Sequence, residues 1–230
     1  MPRIPTLFVA AALGLAACSG RSGPSTPSPA ELSGIERARL DSLRYPYTMA
    51  DISFMSGMIH HHAQAIKISR WAPTHGASAE LQRLAARIIN AQNDEITLMR
   101  RWLGDRNQVA PSVDSTGSVT MPMAGAAAEH AGHDMSGGHA GDAAMPGMLS
   151  AEQLAELDAA RGESFDLLFL QRMIAHHRGA VTMVRELQAS RAGAQDETIF
   201  KFAADVEVDQ TTEIRRMLTM LLERGGIPPQ

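Results

Sequence analysis

The stretch DISFMSGMIHHHAQAI, from Asp51 to Ile66, returns 115 positions later as DLLFLQRMIAHHRGAV, from Asp166 to Val181. Asp51, Phe54, Met58, His61 and His62 thereby match Asp166, Phe169, Met173, His176 and His177. A second block follows each copy. Gln92, Glu95, Ile96, Met99 and Leu103 correspond to Gln210, Glu213, Ile214, Met217 and Leu221 at an offset of 118. Two matched blocks in the same order mark the duplication of one supersecondary unit. The larger second offset places three extra residues near the turn of the second unit.

Each unit reads as helix, turn, helix. Thr48 is placed to cap a helix to about Trp71, stopped by Pro73 and Gly76. Ser78 caps its partner, which runs to Leu103 with Gly104 as the stop. In the second unit Ser164 is expected to cap a helix to about Ser190. After Gly193 a further helix runs to Arg224, before Gly225, Gly226 and Pro228. Ser150 and Gln153 stand in capping-box spacing, so residues 150–159 read as a short approach helix. The expected fold class is all-α, a four-helix bundle of two repeated hairpins, over residues 45–104 and 150–230. A crossover linker joins them.

That linker, residues 105–149, has no aromatic residue and no sustained apolar period, and it reads as disordered or weakly ordered. It nevertheless holds Met121, Met123, His130, His133, Met135, His139, Met145 and Met148. The N-terminus is of another kind. Arg3 and the apolar run from Ile4 to Ala17 form a signal peptide over residues 1–17, too short to span a bilayer. It ends in Leu15-Ala16-Ala17-Cys18, which resembles a bacterial lipobox, so Cys18 is the expected lipidation site. Residues 18–44 form a Ser/Gly/Pro-rich tether followed by a short helix over 31–44. The expected location is the periplasmic face of the envelope, lipid-anchored to the membrane, the outer one in a diderm. Because Cys18 is the only cysteine, no disulfide framework is available. A net charge of −4 offers no footprint for nucleic acid.

The repeated pattern, Asp-x-x-Phe followed by Met-Ile-x-His-His-x-x-Ala, resembles the family known as domain of unknown function 305. The resemblance covers roughly residues 45–103 and 150–224, with departures at His60 against Ala175 and at Met55 against Leu170. It implies a ferritin-like helical bundle outside the cytoplasm, with some relatives associated with copper handling. It implies no enzyme activity.

Helix geometry selects the candidate ligands. Met58 reaches His61 or His62 at i+3 and i+4, and Met173 reaches His176 or His177 in the same way. Thioether sulfur beside imidazole suits copper, and zinc or iron are further possible cofactors. The primary metal residues are therefore Met58, His61, His62, Met173, His176 and His177. Asp51, Met55, Asp166 and the Met and His residues of the linker are additional ones. Asp51 and Asp166 have a structural alternative in the first helical turn, and Met55, Met99 and Met217 have one in the core. Folding the first hairpin about residue 75 would set Met58 opposite Gln92 and Met55 opposite Glu95. His60 is expected at the surface and His75 in a turn.

The leading expectation is an envelope protein that binds copper, to sequester or chaperone it, and meets other copper-handling proteins. A structural or partner-binding bundle without metal is the alternative. A di-metal oxidoreductase is the lesser one, because it calls for Glu-x-x-His on two helices and neither hairpin has it. The chain is not expected to be an enzyme.

Overall fold

The structure is a computed structural model that describes residues 47–122 and 145–229. Cys18, the tether and the helix expected over 31–44 lie outside the described residues, as do Met123, His130, His133, Met135 and His139. Among the described residues five helices and a small hairpin follow in order: α1 (Met49–Ser69), α2 (Ala79–Asp105), β1 (Ser112–Val113), β2 (Val119–Thr120), α3 (Ala151–Ala159), α4 (Gly162–Ala189) and α5 (Glu197–Glu223). The helices α1 and α2 pair as one hairpin, and α4 and α5 as the other. Between hairpins the close approach is α1 against α4. Among the described residues no helix is long and apolar enough to cross a membrane.

Local chemistry sets most helix starts. Thr48 accepts from the Asp51 amide while Asp51 reaches back to the Thr48 amide, a reciprocal cap at the head of α1. Ser150 and Gln153 do the same for α3, Ser78 caps α2, and Asp196 caps α5. At α4 the expectation differs from the structure. Ser164 lies inside the helix, which begins at Gly162 without a side-chain cap. The Gly162 amide instead donates to the carbonyl of His75 in the bend of the first hairpin, 2.8 Å away. A neighbouring backbone thus does the work of a cap. Gly104 does not stop α2, which ends past it before Asn107 enters the left-handed region at φ 56°.

Part of the linker takes regular structure. β1 and β2 pair antiparallel around a turn held by Asp114, whose carboxylate accepts from Thr116 and Ser118. At that turn Gly117 lies against α1, so close that a β-carbon would fall 2.6 Å from the Ala63 carbonyl. Residues 145–149 are ordered as well, for reasons given below.

Two apolar clusters fill the bundle. One joins Phe54, Met55, Met58 and Ile59 of α1 to Ile96 and Met99 of α2, Val184 of α4 and Phe202 of α5. The other joins Ile68 of α1 to Leu81 and Leu84 of α2, Phe169 and Met173 of α4 and Met217 of α5. The first half of α1 shares a cluster with the second half of α4, so these helices run antiparallel and their middles meet. At those middles stand the histidine doublets.

Candidate metal centre

His61, His62, His176 and His177 are all buried to within 1% of full enclosure. The rings of His61 and His176 lie 3.8 Å apart, centroid to centroid, bringing the two copies of the motif together at the bundle centre. The partner histidines stand outward, with ring centroids 6.5 Å away for His61–His62 and 6.2 Å for His176–His177. A histidine layer therefore separates the two apolar clusters.

Each outward histidine meets a glutamate from its own hairpin. His177 Nε2 donates to Glu213 Oε2 at 2.6 Å. His62 Nε2 lies 2.5 Å from Glu95 Oε2, close but off the line of a hydrogen bond. His61 Nε2 donates to the carbonyl of Pro146 at 3.1 Å. Carbonyls and ionised carboxylates only accept, so the contacts of His61 and His177 place their ring proton on Nε2 and leave Nδ1 as the lone-pair nitrogen. In His61 and His177 that Nδ1 is buried and without a partner. In His62 and His176 neither ring nitrogen makes a hydrogen bond of good geometry, although the His61 backbone lies close enough to His176 to favour its protonated form. Buried polar atoms left in this state are costly unless a further group meets them.

Burial governs protonation here. His61 is pushed down to about 3, by desolvation first and the neighbouring His62 next, with the Pro146 carbonyl pulling the other way. His176 is lowered well below the ordinary imidazole range, again by desolvation first and then by His61. Both rings are neutral at neutral pH and so have lone pairs to offer. Acidic groups gather on the α2/α5 side. Asp209 is raised by partial desolvation first, then by Glu95, Glu213 and Asp205. Among the described residues no three His, Cys, Asp or Glu side chains are gathered tightly enough to hold one ion as they stand.

Other sequence candidates fall elsewhere. Met58 and Met173 are fully buried one turn before their doublets, one in each apolar cluster. Met55 belongs to the core. Asp51 and Asp166 are not placed to hold an ion, because their oxygens are already engaged. Asp51 accepts from the Thr48 amide and hydroxyl and, at 2.7 Å, from the Ala194 amide in the bend of the other hairpin. Asp166 accepts from the Ser78 amide in the bend of the first hairpin and lies 3.6 Å from Arg224. Met121 is exposed, and Met145 and Met148 are half-buried beside α1 and α4. His60 is half-buried. His75 is structural: it bonds Asp158 at 2.9 Å, stacks on Trp71 and ties the first bend to α3.

Glu95 and Glu213 are the site residues that sequence reasoning passed over. A bend about residue 75 would have set Glu95 against Met55, but it meets His62, two helical turns along α1. The bend residues explain the shift. Trp71, Ala72, Thr74 and His75 continue in hydrogen-bonded turns before the chain reverses, so the reversal comes later than Pro73 suggests. The signal was present in the repeat, because Gln92-x-x-Glu95 recurs as Gln210-x-x-Glu213. Both glutamines are buried with unpaired amide atoms one turn from the glutamates.

Residues 51–221 match the family model described as Domain of unknown function (DUF305). Among curated proteins none matches the chain. A DUF305 protein of Streptomyces coelicolor, described as secreted, is similar at 25% identity and a TM-score of 0.61, covering 79% of this chain and 97% of its own. A DUF305 fragment from Deinococcus radiodurans has 25% identity and a TM-score of 0.57, covering 77% and 99%. CopM in its Cu(II)-bound form has 27% identity and a TM-score of 0.51, covering 75% and 96%. The match spans both copies of the motif and both helix-two blocks, and the chain belongs to the DUF305 family.

Proposed function

We propose that this protein binds copper at the cell envelope through the buried histidine layer, holding or passing on the ion rather than catalysing a reaction on it. The observation that carries the reading is the state of the rings. His61 and His177 donate Nε2–H to an oxygen acceptor, His62 faces a carboxylate, and all three keep an unpartnered, buried Nδ1. That is the arrangement of metal-ligating histidines, whose second nitrogen is normally held by a carboxylate or carbonyl. His176, buried ring to ring against His61, is the fourth candidate. Met58 and Met173 would offer soft sulfur one turn away. CopM, similar in fold, is known in a Cu(II)-bound form. Described as secreted, the Streptomyces coelicolor relative favours a site outside the cytoplasm, where the Cys18 lipid anchor would hold this chain.

A second reading has one observation in its favour. Among the described residues no three His, Cys, Asp or Glu side chains are gathered as they stand, and on this second reading the layer is a polar core that sets hairpin register without metal. A titration decides between them. Purified protein is titrated with Cu(I) under reductant, with Cu(II) and with zinc, beside a variant carrying His61→Asn, His62→Asn, His176→Asn and His177→Asn. The variant should lose the tightest copper step and keep its helix content by circular dichroism. Full copper affinity in a folded variant would make the layer structural.

A further inference from the structure

The duplicated α1 and α4 differ at equivalent positions where a third segment crosses them. Gln64 and Gly179 are related by the same 115-residue offset as the histidines. Gln64 holds the backbone of Leu149 as another peptide would, donating to its carbonyl at 3.0 Å and accepting from its amide at 2.8 Å. Gly179 does the opposite and makes room. A β-carbon there would fall inside the Pro146 carbonyl, and the contact leaves no space for any side chain. From the other side Gly147, at φ +78°, lies so close that a β-carbon would stand 2.7 Å from the Ala175 carbonyl and 2.8 Å from that of His176. Only glycine takes that conformation freely. One copy thus grips the segment and the other yields to it, and between them the Pro146 carbonyl meets His61.

We propose that residues 145–149 form a strap that sets the tautomer of His61 and governs metal exchange at the histidine layer, so that copper enters and leaves when the strap lifts. The inference rests on the copper-binding reading and adds its route. The outward histidines His62 and His177 are met instead by Glu95 and Glu213, whose backbones are fixed in α2 and α5. The strap is held by three side-chain hydrogen bonds and a glycine seat and belongs to no helix. Leu149 at its far end is anchored in the second apolar cluster, so the end that lifts is Met145 to Gly147. Lifting it frees His61 Nε2 and uncovers the edge where His61 and His176 meet. Met145 sits at the leading end, its sulfur against Gly57 on α1, one turn before the doublet. Pro146, Gln64 and Gly179 are accordingly positioning residues rather than ligands.

The test uses the full chain and two variants, Gly179→Ala and Gln64→Ala. Alanine at 179 favours the helix while forcing the Pro146 carbonyl away. Three quantities are read: hydrogen exchange at the Leu149 amide, modification of His61 by diethyl pyrocarbonate in copper-free protein, and transfer of Cu(I) to an excess of chelator. Both variants should lose Leu149 protection with helix content unchanged. His61 modification and copper transfer should each quicken by about tenfold or more, as expected for the loss of one or two hydrogen bonds. Lost protection with unchanged modification and transfer would overturn the strap's control. Unchanged protection in Gly179→Ala would overturn the seating itself. If the parent chain takes up no copper, the copper reading fails. Faster His61 modification would then still identify the strap as the cover of that ring.

Discussion

Mild acid should destabilise this protein from the middle of the bundle. His61 is enclosed on all sides and its imidazole is pushed down to about 3, chiefly by desolvation. In the unfolded chain the same ring titrates near its ordinary value of about 6.5. A depressed native pKa means that the unfolded state binds the proton first. The stability is therefore whole above about pH 6.5 and is lost as pH falls from there toward about 3. Between about pH 7 and pH 5 the unfolded ring gains one proton over roughly 1.5 pH units, which costs about 2 kcal/mol for His61 alone. His176 is lowered for the same first reason and adds to the loss. Against a typical total of about 5–15 kcal/mol this is a large fraction. Urea unfolding followed by helical circular dichroism at several pH values measures it. His61→Leu, which has no proton to take up, should lose about 2 kcal/mol less than the parent over the same interval. A parent stability that is flat between these pH values would refute the reasoning, as would identical pH dependence in the two proteins.

Two further outcomes concern other parts of the chain. Asp51→Ala removes the acceptor for Thr48 and strands the Ala194 amide, so thermal or urea unfolding should show a loss of about 2–3 kcal/mol, whereas a surface aspartate would cost little. Cys18→Ser should move the protein from the membrane fraction to the soluble periplasmic fraction, and unchanged detergent partitioning would remove the lipid anchor from the reading.

What could be read from the sequence was local or repeated. The hairpins announce themselves through duplicated blocks, and the caps at Thr48, Ser78 and Ser150 act within three residues of themselves. The histidine doublets stand out because they occur twice in one register. What could not be read depends on backbone. Asp51 looks like a ligand until its partner is known, and that partner is a main-chain amide 143 residues away, which has no sequence signature. Glu95 faces His62 rather than Met55 because the bend climbs past Pro73 before reversing, which residue spacing does not reveal. The strap was hidden by composition. Met145-Pro146-Gly147 looks like low complexity, and its order comes from a fit against Gly179 that only the folded chain creates.

The two buried aspartates have an implication for assembly. Asp51, at the head of the first hairpin, fastens the bend of the second, and Asp166, at the head of the second, fastens the bend of the first. A lone hairpin would keep its hook but have nothing to hang it on, and its own bend would be left unlatched. Both deficits are met by another copy turned through half a revolution. The fused chain therefore has the logic of a symmetric dimer with its subunits tied together. Joining them is what allows the equivalent positions to part company, so that one copy keeps Gln64 as a grip while the other keeps Gly179 as a gap.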